Sequence, residues 1–155
     1  MPDATLDTNM LRISRIFDAS RERVFDAWAR QEHFVQWMCP PGVTITLCEI
    51  DVRPGGAWRI GGRSESGKVF ASSGKYVEVK SPERLVFTWA HHADGDYAKP
   101  RGHETTVRIE LRTVGAKTEL TLLHGPFLDT PSFENHRGGW EGSFDKLVSF
   151  LGRSA

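Results

Sequence analysis

The sequence predicts an α+β fold: a curved antiparallel sheet of six or seven strands wrapped around one long C-terminal helix, with two short helices after the first strand. Three observations predict it. Apolar residues recur at helical spacing over residues 131–151, period-2 alternation broken by short turns fills most of residues 43–124, and two short helical stripes separate the first strand from the rest. Connections this short imply antiparallel neighbours, and helices segregated from strands are the α+β pattern.

Residues 1–9 are polar and read as a disordered tail, leaving a single domain over residues 10–155. Leu11, Ile13, Arg15 and Phe17 then alternate with Arg12 and Ser14, which gives a strand with one buried face. Arg15 stands in the inward row, either as a strand-end residue reaching solvent or as a cation held for an acidic ligand group. Ser20 can cap a first short helix whose stripe is Val24, Phe25, Ala27 and Trp28; a second, Gln31–Trp37, stops before Pro40 and Pro41, which cannot continue it. Strands are expected over residues 43–52, 57–61, 69–79, 84–91, 105–113 and 118–124. Turn residues divide them: Pro54 with Gly55 and Gly56, the glycines at 61, 62 and 67, Ser81 with Pro82, and Gly115. The polar stretch 91–103 has no periodicity and reads as a surface loop, or as a mobile flap over a cavity.

On the last helix Phe133, Trp140, Phe144, Leu147, Val148 and Leu151 share one side, with Glu134, Asn135, Glu141, Asp145, Lys146 and Ser149 opposite. Thr130 is expected to cap it, Pro131 to take its first position, and Gly152 to end it in a left-handed conformation. At roughly 1.5 Å per residue it spans about 30 Å, enough to cross a small sheet. Gly138, Gly139 and Gly142 surround Trp140, although each interior glycine costs about 1 kcal/mol of helix propensity. Close packing of the helix backbone against the sheet is one reason to keep them; room for a ligand beneath Trp140 is another.

Composition excludes several functions. Twenty basic against twenty acidic residues give no net charge, hence no field drawing nucleic acid or an anionic membrane. Cys39 and Cys48 form neither a secreted disulfide framework nor a CxxC site, which points to a reduced, cytoplasmic setting. No segment has the form of a signal peptide or a membrane span. There is no HExxH, GxSxG or phosphate loop and no clustered metal ligands, so no metal or cofactor is expected, and Cys39 is expected to be an inert thiol.

The aromatic supply is what suggests a site. Trp37, Trp58, Tyr76, Phe87, Trp89, Trp140 and Phe144, with Phe70 and Phe127, are spread over elements that should face inward, and together they suit a cavity for a planar or lipid-like guest. Alternation puts His91 on the aromatic side of its strand and His124 in line with Leu120 and Leu122, while His136 lies one helical turn before Trp140. Three histidines facing one cavity could orient a ligand or move a proton; at element ends they would instead be ordinary hydrogen-bonded residues.

The order of elements resembles the SRPBCC, or START-like, superfamily. The phrases carrying the resemblance are Phe17-Asp18-Ala19-Ser20 leading to Val24-Phe25-Asp26-Ala27-Trp28, then Trp37 with Pro40, Gly55-Gly56-Ala57-Trp58, and Gly139-Trp140 ahead of Leu147. Within the superfamily the chain is most similar to the family named for activators of heat shock protein 90 ATPase, over residues 11–151. That resemblance implies a helix-grip fold with a deep apolar cavity between sheet and last helix. One departure stands at Met38 and Cys39, where the family pattern has an aromatic or small residue and then a glycine before the proline. Eukaryotic co-chaperones of the family carry a further N-terminal domain that has no counterpart in the 155 residues. The expectation is therefore a module binding a hydrophobic small molecule. A cyclase- or hydrolase-type enzyme using the histidines, and a stress-related co-chaperone-like domain with a chaperone partner, are the alternatives, and a homodimer is left open. A shared fold alone does not choose among them.

Overall fold

Seven strands pair antiparallel in one curved sheet ordered β1-β7-β6-β5-β4-β3-β2, so the first two strands of the chain lie on opposite edges. They are β1 (Leu11–Phe17), β2 (Thr44–Ile50), β3 (Ala57–Arg63), β4 (Val69–Lys80), β5 (Arg84–His91), β6 (Thr105–Val114) and β7 (Lys117–Gly125). Helices α1 (Arg21–Ala29) and α2 (Gln31–Trp37) carry the chain from one edge to the other, and α3 (Thr130–Arg153) follows β7. This computed structural model describes residues 9–153. The expected tail lies outside them except for Asn9, whose carbonyl accepts the Phe127 N–H at 2.9 Å.

Alternation builds the core. Val107, Ile109 and Leu111 on β6 and Leu120 and Leu122 on β7 are buried, whereas Arg108 and Arg112 between them are exposed. The inward row meets α3 through Trp140, Phe144, Leu147 and Leu151, all buried, and Phe17 meets Phe144 edge-on with ring centres 5.9 Å apart. Register shifts in β2 at Ile45/Leu47 and in β4 at Tyr76/Glu78 add the local twist that bulges give a sheet.

Several sequence expectations need correction at their edges. Asp129, not Thr130, caps α3, its Oδ1 accepting the Ser132 N–H at 2.8 Å; a carboxylate reaches the orphan amides of the first turn better than a threonine already inside the helix. Gly152 stays helical, because α3 continues to Arg153. Val148 is exposed, and Phe150 is buried in its place with its ring centre 5.3 Å from that of His33 on α2. Arg15 neither reaches freely into solvent nor waits for a ligand: its Nη1 bonds Asp145 of α3 at 2.8 Å and its guanidinium lies 5.7 Å from the centre of the Phe144 ring. It ties β1 to the last helix.

Candidate functional site

A cavity of about 980 Å³ opens between the N-terminal half of α3, the loop after α2, and one end of β3, β4 and β5. Its walls are mostly apolar. Met38 and Val43 come from the loop, Ile60 from β3, Phe70 from β4, and the indoles of Trp89 and Trp140 lie side by side, their planes inclined by 59° and their centres 5.6 Å apart. Two of the three helix glycines have distinct reasons. A Cβ on Gly142 would stand 2.8 Å from Pro40 Cβ, so this glycine allows the helix to approach the Pro40–Pro41 loop. Gly139 borders the cavity, and a Cβ there would meet nothing within 4 Å. Gly138 is exposed and likewise unobstructed. The close packing expected of these glycines therefore holds at Gly142, against a loop instead of the sheet, while Gly139 stands beside open space.

The same loop explains the departure at Cys39. Its φ is +73°, in the left-handed region that favours glycine, and it borders the cavity. Burial pushes its thiol up to about 12, which leaves it protonated and unreactive at neutral pH. The polar loop after β5 is a tied rim: His92 Nε2 lies 2.7 Å from Ser73 Oγ, Arg101 Nη2 donates to the Ser73 carbonyl at 3.0 Å, and Tyr97 OH donates to that of Ser72 at 3.4 Å.

Of the ten residues proposed from sequence as a ligand site, the seven rings other than Phe70 and Phe127 together with the three histidines, Trp89, His91, His136 and Trp140 border the cavity, as does Phe70. The other six lie behind it in the core. Trp37 is fully buried with its Nε1–H on the Ala27 carbonyl at 2.8 Å. Phe144 is enclosed by Phe17, Trp28 and Trp37. Trp58, Tyr76 and Phe87 form a contiguous set of rings on the inner face of the sheet. These large rings fill the interior because apolar area is worth most where water is fully excluded. His124, also fully buried, belongs with them.

The polar groups form two separate systems. In the first, Trp140 donates its Nε1–H to His124 Nδ1 at 3.0 Å, so the proton of this ring is on Nε2, which lies 2.7 Å from Thr105 Oγ1; that hydroxyl donates to the Trp89 carbonyl at 3.2 Å. Every polar atom has a partner. Burial, and next the neighbouring His136 and His91, hold His124 well below its ordinary pKa, which makes it a neutral strut for two cavity indoles. In the second system the Ser132 carbonyl accepts from His136 Nδ1 at 2.8 Å, leaving His136 Nε2 as an acceptor 2.9 Å from His91 Nε2; Ser72 Oγ lies 2.7 Å from His91 Nδ1. Trp89 Nε1–H also points at His91 Nε2, at 3.4 Å. His91 has an exposed edge towards the cavity, yet desolvation, followed by His136 and His92, lowers it to about 4, and burial lowers His136.

Ser72 and Thr105 are polar partners that sequence reasoning missed. The signal for Ser72 was the row Phe70, Ser72, Gly74, Tyr76 on one side of β4; Thr105 carried none, since its role depends on its pairing to Trp89 across the sheet. Among the described residues no group of three or more His, Cys, Asp or Glu is placed to hold a metal ion, and no helix is long and apolar enough to cross a membrane.

Comparison with known proteins gives the geometry a context. The family model described as Activator of Hsp90 ATPase homolog 1-like protein matches residues 18–152. An AHSA1 protein of Silicibacter pomeroyi is 27% identical with a TM-score of 0.84, the match covering 94% of this chain and 99% of that one. A protein of Chromobacterium violaceum is 26% identical with a TM-score of 0.77 over 91% and 95% of the two chains. One from Nitrosomonas europaea, 22% identical with a TM-score of 0.78 over 99% and 98%, shares the fold. No curated protein matches the sequence.

Proposed function

The chain belongs to the Activator of Hsp90 ATPase homolog 1-like family, and on that premise we propose that it is a receptor for a small aromatic or otherwise hydrophobic molecule held between α3 and the sheet. One observation carries the reading: an apolar cavity of about 980 Å³, faced by two indoles, into which Gly139 sends no side chain. The volume is at the upper end of ligand sites, roughly 300–1,000 Å³. An interior glycine costs the helix about 1 kcal/mol, a cost that a receptor retains because a longer side chain would occupy the guest's space. Cys39 and Cys48 are both free thiols, which suits a reducing compartment such as the cytoplasm. The test is titration with N-phenyl-1-naphthylamine, a neutral fluorescent aromatic. Saturable one-to-one binding with quenching of protein tryptophan is expected, and the absence of saturable binding overturns the reading.

A hydrolytic second reading has one favourable observation, the 2.7 Å contact of Ser72 Oγ with His91 Nδ1 inside the cavity. A ring lowered to about 4 is a weak base for that hydroxyl at neutral pH, so binding is the better reading. Ester hydrolysis abolished in His91→Ala and His136→Ala, with probe binding retained, would reverse the preference.

A further inference from the structure

The apolar side of α3 is interrupted at one buried position. Trp140, Phe144, Leu147 and Leu151 carry the stripe, yet Ser143 is buried among them with 2% of its surface exposed, and it borders the cavity. The other buried Ser, Thr and His side chains are all engaged: Ser72 with His91, Thr105 with His124, Thr118 with the Ala19 carbonyl, and His124 with Trp140 as well. Among the described residues no hydrogen bond reaches Ser143 Oγ. A buried hydroxyl without a partner carries a desolvation penalty that alanine, also the better helix former, would avoid.

Helix geometry sets its place. Ser143 follows Gly139 by four residues, so the two share a face about 6 Å apart along the axis. Its neighbour Gly142 lies against Pro40, which sets Ser143 beside the loop after α2. On the cavity wall Met38, Cys39, Ile60 and Trp140 are buried, whereas Lys68, Val69, Asp94 and Asn135 are exposed and mark the mouth. The hydroxyl therefore belongs to the closed end. No charge accompanies it there: Lys68 and Asp94 stand at the mouth, Asp94 paired with Lys99 at 2.6 Å, and Lys146 is held on the Cys39 carbonyl at 3.1 Å outside the wall. Burial keeps the Cys39 thiol protonated and neutral.

We infer that Ser143 is the polar anchor of the cavity, and that the guest carries one neutral hydroxyl at its inner end, hydrogen-bonded to Ser143 Oγ, with its apolar body lying along Trp140, Trp89 and Phe70 towards the mouth. A hydroxyl suits the position because it donates and accepts, as serine does, so the pair is satisfied in either direction. An ionised group is excluded from the closed end, since no counter-charge would offset its desolvation. Gly139 leaves the space for the body, and Ser143, one turn further in, selects the head. The inference rests on the receptor reading and narrows its ligand class.

The test compares 2-naphthol with naphthalene, which share one ring system and differ by one hydroxyl, each displacing N-phenyl-1-naphthylamine from the full chain at neutral pH. Ser143→Ala should lower the ratio of naphthol to naphthalene affinity by about three- to tenfold, the effect of one neutral hydrogen bond. Ser149→Ala, on the exposed side of the same helix, should keep the wild-type ratio. The ligand-free Ser143→Ala protein should melt at or above the wild type, because the hydroxyl has no partner to lose; a lower Tm would show that it is bonded within the fold and overturn the anchor. A ratio unchanged in Ser143→Ala, or shifted equally in Ser149→Ala, overturns the anchor and leaves the receptor reading standing. Failure of N-phenyl-1-naphthylamine to bind overturns the receptor reading, and this inference with it.

Discussion

Replacing Gly139 by alanine should stabilise the protein, whereas the same change three residues later at Gly142 should not. Both substitutions gain about 1 kcal/mol of helix propensity. At Gly139 nothing opposes the gain, since the new Cβ meets no atom within 4 Å. At Gly142 the Cβ would stand 2.8 Å from Pro40 Cβ and 3.3 Å from Pro41 Cδ. Neither proline ring can swing aside as the end of a long side chain does, and overpacking of this kind costs about 1–3 kcal/mol. The net effect at Gly142 is thus about 0–2 kcal/mol of destabilisation, and the two variants differ by about 1–3 kcal/mol. For a chain of 155 residues about 1 kcal/mol moves Tm by roughly 2–4 °C, so Gly139→Ala should melt that far above the wild type and Gly142→Ala at or below it. Urea unfolding followed by tryptophan fluorescence gives the same comparison as free energies. A destabilised Gly139→Ala would mean the space beside it is filled; equal stability of the two variants would refute the contact between helix and loop.

Acid should weaken the fold through His124. Its folded pKa lies well below 6.5, so the unfolded chain takes up the proton first; stability is complete above that value and declines as pH falls, by about 1.4 kcal/mol per pH unit from this ring. A urea midpoint that stays flat from pH 7 to pH 5 would contradict the buried neutral assignment. Arg15→Ala removes one partly exposed ion pair and one cation–ring contact, so a loss of about 1 kcal/mol with unchanged probe affinity is expected; weaker binding would restore Arg15 as a ligand cation. Trp37→Phe should cost about 1–3 kcal/mol more than Trp28→Phe. The first leaves the Ala27 carbonyl unpaired, while the second removes an indole N–H that has no partner, and chemical denaturation of both variants measures the difference.

Periodicity made the architecture legible. Alternation in β6 and β7 and the helical stripe of α3 report burial on one side, and burial is what the sheet and the helix exchange. It worked less well where a residue's surroundings come from distant parts of the chain. Trp37 and Trp140 have the same chemistry and both belong to helical stripes, yet the first closes against Ala27 while the second borders the cavity. The three histidines were recognisable as a group, but their division into a satisfied strut at His124 and an open pair at His91 and His136 depends on Thr105 and Ser72, whose positions follow from strand pairing. Arg15 was misread for a related reason, since its partner Asp145 is far away in sequence.

The receptor claim is tested most directly by filling the space beside Gly139. Gly139→Phe places a ring in the cavity, whereas Gly138→Phe places one on the exposed side of the same helix turn. With both variants folded by circular dichroism, N-phenyl-1-naphthylamine should bind Gly138→Phe as it binds the wild type, and Gly139→Phe at least about tenfold more weakly, a difference of about 1.4 kcal/mol. Equal affinity for all three proteins would place the probe somewhere else and contradict the account.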